Sequence, residues 1–245
     1  MHHALRDILI TLFRWRATVE APFDRWFLDP HVPRMDHHKR YAALSADYNR
    51  PGMRVLEVGS REVTGASDAR QRFRQAEYIG FDYFAGPNVD VVGDAHRLAS
   101  YFAPADKFDL IYSIACFEHF AMPWVVATEI AKLLKVGGCV FVATHFSYSS
   151  HARPWHFFQF SDMALRALFS PALGFECIEA GASDPMIGRF SKLAERRLRY
   201  RPISGLYCGS AYLGRKMRDV PEFTWDTADL TTLVGGTLYP TENRD

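Results

Sequence analysis

The clearest fold signal in the chain is Arg54-Val55-Leu56-Glu57-Val58-Gly59-Ser60-Arg61-Glu62-Val63-Thr64-Gly65. A short apolar run with an acid near its end is followed by a glycine and by a polar loop with a second glycine. This pattern is typical of a buried parallel strand that turns tightly into a helix and leaves its backbone open to a ligand. We expect a side chain at Gly59 to block that ligand, and Gly65 to let the helix pack close to its strand.

The residues after this turn repeat the pattern of an apolar strand followed by an acid or a polar loop. Strands are predicted at residues 77–82, 88–94, 108–115 and 139–144, and helices at about 69–74 and 124–134. This alternation indicates an α/β fold with a doubly wound, mostly parallel sheet. Ligands of such sheets lie at the carboxyl ends of the strands, near the point where the strand order reverses.

The N-terminal residues 1–50 are predicted to form a helical segment packed on the core. Apolar residues recur at helical spacing in the first helix, with arginines elsewhere around the turn: Leu5, Ile8, Leu9, Leu12 and Phe13. Such an amphipathic helix packs on its own domain or docks to a partner or a membrane surface. A second helix is expected at about residues 36–47.

The α/β domain is predicted to span residues 51–218. After residue 144 it continues with a loop rich in histidine and aromatic residues (145–160), a helix (161–169) and two strands (174–180 and 206–214). Residues 181–205 form a basic insert that we expect to contain a helix at about 191–199. Residues 219–245 are predicted to be an irregular acidic tail, since they hold six acids and one arginine.

Composition and charge describe an ordinary folded domain. The 245 residues are 48% hydrophobic and 23% charged, with a formal net charge of +1. This balance gives no overall attraction to nucleic acid or membranes, and only Tyr200 could stack a base beside the arginines of the insert. Because neither a signal peptide nor a membrane span is evident, we expect a cytoplasmic protein, with peripheral membrane contact left open. The sequence gives no prediction of oligomeric state.

Two cofactors use a glycine turn followed by acids at strand ends: a dinucleotide and S-adenosylmethionine. Asp82 suits both, because a carboxylate accepts hydrogen bonds from two ribose hydroxyls. A dinucleotide needs the pattern G-x-G-x-x-G, but Arg61 and Thr64 replace its second and third glycines here. Glu57 would repel a pyrophosphate and attract the methionine ammonium, and Asp94 could accept from an adenine amino group. The pattern therefore favours S-adenosylmethionine.

These segments resemble the successive motifs of class I S-adenosylmethionine-dependent methyltransferases, and within them the group often called type 11. The resemblance covers about residues 50–180 and rests on Val55–Ser60, Ile79–Asp82, Gly93–Ala95, Phe117–His119 and Leu134–Gly138. It implies a Rossmann-like methyltransferase fold with a seven-stranded sheet. It also implies a set of cofactor contacts at Glu57, Gly59, Ser60, Gly65, Asp82, Tyr83, Asp94, Ala95, Ala115 and Cys116.

Residues 151–161 are similar to a loop of a bacterial subset of that family, which reads H-x-x-P-W-D-F-W-R-F-S. In this chain His156 replaces the aspartate and Gln159 replaces the arginine. An ion pair between those two positions in relatives would therefore be absent here. The resemblance to this subset suggests modification of a small molecule or of a glycan- or lipid-linked acceptor.

Methyl transfer to a hydroxyl usually needs a base, and His119 and His145 follow the fourth and fifth predicted strands. Each of them could instead only pack or cap a loop. For the acceptor we expect contacts from the aromatic loop and from the basic insert, which suits an anionic group: His151, Trp155, His156, Arg196 and Arg197. The histidines lack i, i+4 or H-x-H spacing, so no metal site is predicted. A binding domain without catalysis and a dinucleotide-dependent oxidoreductase stay open as alternatives.

Overall fold

The structure, a computed structural model, describes residues 2–234. Its strands are β1 Arg54–Val58, β2 Glu77–Asp82, β3 Val91–Val92, β4 Phe108–Ile114, β5 Leu134–His145, β6 Phe175–Pro185, β7 Gly188–Arg189, β8 Pro202–Ile203 and β9 Tyr207–Lys216. Seven of them form one sheet in the order β3-β2-β1-β4-β5-β9-β6. The pairs from β3 to β5 are parallel, and β9 is antiparallel to β5. The predicted doubly wound, mostly parallel sheet is therefore confirmed.

Two of the helices begin at a capping side chain and a third begins at a proline. They are α1 His2–Glu20, α2 His37–Tyr48, α3 Ala69–Arg72, α4 Pro123–Leu133, α5 Asp162–Leu168 and α6 Leu230–Val234. The Asp36 carboxylate accepts from the backbone N–H of Lys39 at 3.0 Å and starts α2, and Ser161 caps α5 in the same way. Pro123 starts α4, because its missing N–H has no helical partner at that position.

Alternating strand residues fill a hydrophobic core on each face of the sheet. In β4, Ile111 packs with α4 and α5 on one face, whereas Leu110 and Tyr112 pack on the other face with Leu44 of α2 and Phe73. All five side chains are at most 5% exposed. Covering both faces explains why the central strands read as continuous apolar runs, and it leaves the strand ends as the accessible edge.

The chain forms two compact units whose boundaries differ from the predicted ones. One contains the residues up to Val32 and Asp184–Tyr207, and the other contains Pro33–Ser183 and the chain from Cys208 onward. Helix α2 therefore belongs to the unit with the sheet. The reason is local: Met35 N–H donates to the Ala182 carbonyl at 3.0 Å, and Ala182 N–H donates to the Pro33 carbonyl at 2.8 Å.

Three predicted elements differ from the structure. Only Val91–Val92 is strand in the segment 88–94, because Asn88 has a left-handed φ of 66° and begins the segment as a turn. The helix expected at 191–199 is wrong: residues 190–201 form turns that close the hairpin between β7 and β8. The tail is not wholly irregular, since α6 lies within it; residues 235–245 are outside the described part.

Helix α1 is present as predicted, but its described apolar side chains are largely uncovered. Ile8, Leu12 and Phe13 are 57%, 55% and 65% exposed. The burial expected of a packed helix is therefore absent from these three side chains. Within residues 2–234, no helix has both the length and the apolar character needed to cross a membrane.

Candidate functional site

The loop after β1 depends on glycine at position 59. Gly59 has a φ of 92°, and a Cβ there would lie 2.5 Å from Sγ of Cys116. The backbone N–H groups of Gly59 and Ser60 both donate to the Phe81 carbonyl, which fixes the turn against β2. The prediction for Gly59 agrees with this geometry. The prediction that Gly65 lets a helix pack close to its strand is wrong, because Gly65 lies in an open loop and a Cβ there would contact nothing within 4 Å.

Glu57 lies in a nest of hydroxyl and amide donors. Its Oε2 accepts from the Tyr78 hydroxyl, from the Tyr112 hydroxyl at 2.8 Å and from Nδ2 of Asn88 at 3.4 Å. Burial raises the pKa of Glu57, although these hydrogen bonds oppose the shift. Because the three donors bind Oε2, Oε1 is the oxygen available to a cation such as an ammonium group.

Asp82, at the end of β2, is held by the loop that follows β1. Its carboxylate accepts from the backbone N–H of Arg61 at 3.3 Å and from that of Phe84 at 3.0 Å. Nε of Arg61 lies 3.4 Å from Oδ1, and its guanidinium lies over the Phe84 ring. Arg61, the residue in place of the middle glycine, is thus a neighbour of the predicted ribose site. Tyr83 is next to Asp82 and is 63% exposed.

Asp94 caps the 3-10 helix Ala95–Tyr101. Its Oδ1 accepts from the backbone N–H of His96 at 2.9 Å and lies 2.7 Å from Nδ1 of the same residue. Burial alone raises the pKa of Asp94, but these bonds from His96 outweigh it and hold the pKa below its usual range. Asp94 is thus a capping anion, and its predicted contact with adenine stays a prediction. Ala95, beside it, is buried.

Two small residues keep the space between β1 and β2 narrow. A Cβ at Gly80 would overlap the Asn88 carbonyl oxygen and lie 2.7 Å from Oγ of Ser60. Ser60 is 3% exposed, and its Oγ has no hydrogen-bond partner among residues 2–234. Sequence reasoning gave Gly80 no role of its own, although a glycine inside a strand is a signal of close approach.

The segment after β4 carries the next predicted cofactor residues. Ala115 has a φ of 50°, and its N–H donates to the Ala143 carbonyl at 2.8 Å, so the chain turns over β5. Burial raises the pKa of the Cys116 thiol, and the charges of Glu118, Asp82 and Glu57 raise it further. Cys116 is therefore a neutral thiol surrounded by three carboxylates.

Glu118 is a fully buried carboxylate behind the predicted bases. It is 0% exposed; its Oε2 accepts from the Thr144 hydroxyl at 2.7 Å, and its Oε1 lies 2.7 Å from Nδ1 of His145. Burial raises the pKa of Glu118, but the contacts with His145 and Thr144 outweigh it and lower the pKa. The group is therefore ionised at neutral pH. Sequence reasoning missed Glu118 as a site residue, although an acid two residues after the Cys116 turn could have indicated it.

Three further histidines lie around this carboxylate. The rings of His119 and His151 are 5.1 Å apart, and those of His151 and His156 are 4.4 Å apart. Nδ1 of His119 lies 2.8 Å from the Trp155 carbonyl, and Nδ1 of His151 lies 2.9 Å from the Ser149 carbonyl. Because a carbonyl only accepts, both rings donate from Nδ1 and keep the lone pair on Nε2.

His156 completes the group that we call the histidine cluster: Glu118, His119, His145, His151 and His156. Burial, followed by the charges of His151 and His119, lowers the pKa of His156 below its usual range. The structure thus brings together four of the predicted catalytic and substrate residues. Trp155 is on the same loop, with its ring 63% exposed.

The predicted substrate arginines lie elsewhere in the chain. Arg196 and Arg197 belong to the smaller unit, in the turns between β7 and β8. Nε of Arg197 lies 3.0 Å from Oε2 of Glu195, and both side chains are more than half exposed. Their contact with an acceptor stays a prediction.

The strand-end residues fit a nucleoside that carries a cationic amino acid. Asp82 offers a carboxylate to ribose hydroxyls, Glu57 offers Oε1 to an ammonium, and Gly59 leaves the backbone uncovered between them. The sequence predicted these three features for S-adenosylmethionine together with Asp94, and the contacts of all four residues with the cofactor stay predictions. Glu118 of the histidine cluster follows Cys116 by two residues, so the cluster is at the same edge of the sheet.

Comparisons with known proteins agree with this geometry. Residues 33–174 match the family model described as a methyltransferase domain. A fatty-acid O-methyltransferase of Mycolicibacterium smegmatis is 30% identical over 156 residues, which cover 56% of this chain and 53% of that relative. The chain thus spans about half the length of the curated relative it matches.

Two solved structures have a similar fold at low identity. The 1,6-didemethyltoxoflavin-N1-methyltransferase of Burkholderia thailandensis, with bound S-adenosylhomocysteine, has a TM-score of 0.51 and is 14% identical, and the match covers 88% of this chain and 90% of that one. The YcgJ protein of Bacillus subtilis has a TM-score of 0.50 and is 20% identical, with 74% and 100% covered. At these identities the likeness concerns the fold alone.

Proposed function

The chain belongs to the family of methyltransferase domains with the class I fold, and we propose that it transfers a methyl group from S-adenosylmethionine to a hydroxyl oxygen of a small acceptor with an apolar chain. The observation that carries the proposal is the arrangement of His119 beside the buried anion Glu118. A hydroxyl acceptor loses a proton when it is methylated, so it needs a base at this place.

The cofactor would be held by the strand-end residues. Asp82 would accept from the ribose, Glu57 would attract the ammonium, and the Gly59 turn would let the backbone approach, with the neighbouring predicted contacts completing the pocket. S-adenosylmethionine supplies a methyl group on a sulfonium, which becomes a neutral thioether when the methyl is lost. The protein therefore has to orient the acceptor, which can be worth roughly 7–11 kcal/mol of the barrier.

His119 is the better placed of the two predicted bases. Its Nδ1–H is committed to the Trp155 carbonyl, so its Nε2 lone pair is available for the acceptor's proton. Nε2 lies 4.0 Å from Oε1 of Glu118, so the imidazolium that forms would be stabilised by the buried carboxylate. His145 already faces Glu118 at 2.7 Å, and a base there would have to leave that contact.

An acyl or lipid-like acceptor is favoured by two observations. The similar protein from Mycolicibacterium smegmatis is named for O-methylation of fatty acids. In this chain the apolar side chains of Trp155 and Phe157 are 63% and 42% exposed on the loop of the histidine cluster. Exposed aromatic rings beside polar groups suit an apolar chain with an oxygen at one end. The exposed face of α1 would suit delivery of such acceptors from a lipid surface.

The test is methyl transfer from S-adenosylmethionine labelled in its methyl group to 3-hydroxypalmitic acid, with palmitic acid as the second acceptor. We expect an ether product from the hydroxy acid. His119→Gln should lower kcat by about 10²–10⁴-fold, the usual contribution of a general base, without changing cofactor affinity. His38→Gln, which changes an exposed histidine of α2, is the matched control and should keep the parent's rate.

Each part of the proposal has its own contrary result. No calorimetric binding of S-adenosylmethionine, or tight binding of NAD instead, contradicts the activity. Binding without transfer to either acid contradicts the acyl class. Formation of only a base-labile ester contradicts the hydroxyl, and equal rates for His119→Gln and His38→Gln contradict the base.

A further inference from the structure

The histidine cluster contains buried polar atoms that lack the partners such atoms normally have. Oε1 of Glu118, Nδ1 of His145 and Nε2 of His156 find no hydrogen-bond partner among residues 2–234. Buried polar groups are paired in the great majority of cases, because leaving one unpaired costs free energy that the lost hydration does not return. Three such atoms in one place indicate that something outside the protein chain binds there.

The closest pair in the cluster is not an ordinary hydrogen bond. Nδ1 of His145 and Oε1 of Glu118 are 2.7 Å apart, yet the ring is not oriented for an N–H···O bond between them. A ring nitrogen and a carboxylate oxygen at this distance repel each other unless a proton or a cation lies between or beside them, and a metal ion would fill that role without a well-oriented N–H. Glu118 is 0% exposed, so water does not neutralise its charge directly.

His151 supplies a third donor atom. One atom each of Glu118, His145 and His151 can be chosen so that all three lie within 4.8 Å of one another. An ion bound at about 2.0–2.2 Å has ligands up to about 4 Å apart, so small side-chain rotations would close the site. His145 and His151 are partly exposed, which leaves a path for an ion to enter.

The surrounding contacts orient these ligands as metal sites require. Nδ1–H of His151 donates to the Ser149 carbonyl, which leaves the Nε2 lone pair for a ligand bond. The Thr144 hydroxyl donates to Oε2 of Glu118 and so leaves Oε1 as the ligand oxygen. Ligating histidines and carboxylates are held by such outer hydrogen bonds in most metal sites.

From these observations we propose that Glu118, His145 and His151 bind a divalent transition-metal ion such as Zn²⁺, Fe²⁺ or Mn²⁺. Two imidazoles and one carboxylate suit these ions and not Ca²⁺, which prefers oxygen ligands alone. Three protein ligands leave coordination positions open, as in catalytic sites. The sequence prediction of no metal is thereby revised.

The fold explains why spacing gave no sign of this site. Strands β4 and β5 are neighbours, and Ile114 pairs with Ala143 in their register. The loop after β4 therefore places Glu118 beside His145 at the end of β5, although 26 residues separate the two in the chain. His151 joins them because residues 146–160 fold back, so that Phe160 N–H donates to the His145 carbonyl at 2.8 Å.

The role of the ion rests on the proposed function, but its binding does not. In a methyltransferase that acts on a hydroxyl, an ion here would bind the acceptor oxygen and lower the pKa of the acceptor hydroxyl. His119 would then take the hydroxyl proton. The test below therefore measures binding of the metal alone and does not use methyl transfer as its readout.

The experiment is a titration of the chelator-treated full chain with Co²⁺, followed by visible absorption and by competition with Zn²⁺. Every protein carries His2→Ala and His3→Ala, so that the histidines near the N-terminus do not contribute. We expect one Co²⁺ per chain with the spectrum of nitrogen and oxygen ligands. His151→Ala should weaken binding at least tenfold, and His38→Ala, the matched control, should not.

Thr144→Val gives a second variant that keeps all three ligands. Because it removes only the hydroxyl that orients Glu118, it should weaken Co²⁺ binding by about 10–100-fold. Circular dichroism and S-adenosylmethionine binding report whether each variant is folded. No stoichiometric binding by the parent overturns the proposal, and so does equal affinity in His151→Ala and His38→Ala.

Discussion

The cofactor edge (Glu57, Gly59, Asp82) and the histidine cluster lie at the same end of one sheet but are built differently. At the cofactor edge each residue lies in or directly after a strand, and the strand positions fix the side chains. In the cluster, Glu118 and His119 come from a short 3-10 helix, and His151 and His156 come from a long loop. The first arrangement follows from local sequence, whereas the second requires the loop conformation.

The difference teaches which predictions a sequence supports. An apolar strand followed by glycine constrains the backbone, because few residues tolerate a left-handed φ. A histidine in a loop has no comparable constraint, so its neighbours are set by tertiary contacts. Gln159 is one such contact: its side chain bonds to both the N–H and the carbonyl of Tyr148 and closes the loop.

The largest effect expected at the cofactor edge is that of Gly59→Ala. The new Cβ would overlap Cys116, and alanine at a φ of 92° is strained, so we expect a loss of about 2–4 kcal/mol in the free energy of unfolding. Urea denaturation measures it, and S-adenosylmethionine binding should be lost as well.

Gly65→Ala is the matched control, because a Cβ there meets nothing. It should leave stability unchanged or raise it by up to about 1 kcal/mol, since alanine restricts the unfolded chain. In a Cys116→Gly background the overlap disappears and part of the Gly59→Ala penalty should be relieved. If Gly59→Ala and Gly65→Ala are equally stable, the cofactor edge does not depend on the strand-end glycine. The contrast between a cofactor edge fixed by local sequence and a histidine cluster fixed by loop conformation then does not hold.

The next largest effect is expected from Asp82→Ala. Removing a carboxylate that binds ribose hydroxyls should weaken S-adenosylmethionine binding by about 1.5–3 kcal/mol, or at least tenfold, while the fold survives. Calorimetry measures the affinity. Arg61→Ala is the control: it removes the guanidinium next to Asp82 but keeps the carboxylate, so it should bind the cofactor at least as tightly as the parent. Unchanged affinity in folded Asp82→Ala would contradict the assignment.

Most of the sheet was predictable because its strands are buried on both faces and read as apolar runs. Arg61 marks the limit of prediction at the cofactor edge. Its presence in place of a glycine excluded a dinucleotide motif, but its contact with Asp82 was not predictable because that contact depends on the side-chain conformation. In the cluster, no spacing in the sequence connected Glu118 with His145 and His151. The metal site follows from the register of β4 and β5, which a sequence pattern does not specify.

The basic insert shows a further way for a local pattern to fail. The sequence predicts a helix at 191–199 because residues 181–205 are too long for a hairpin loop, but Lys192, Arg196 and Arg199 would then repel one another at i, i+4 and i, i+3 spacing. The structure instead closes a hairpin, where Phe190 N–H donates to the Arg201 carbonyl at 3.0 Å.

The smallest effect is expected from Arg196→Ala/Arg197→Ala, and it tests whether this charge pattern has a function. Two acids of the tail that could neutralise it have local partners: Asp219 lies 2.7 Å from Lys216, and Asp229 accepts from Thr231 N–H at 3.2 Å. An anionic acceptor stays our prediction for these arginines. Exposed charge pairs contribute about 0.2–1 kcal/mol, so KM for 3-hydroxypalmitate should rise by about two- to fivefold at low salt. The difference should vanish at high salt, where the Debye length falls to about 3 Å.

Arg74→Ala/Arg215→Ala removes the same charge from the larger unit and should leave KM unchanged. If KM of both double variants equals that of the parent at every salt concentration, the arginines of the insert are solvated surface. The local charge pattern would then predict function no better than histidine spacing predicted the metal site in the cluster.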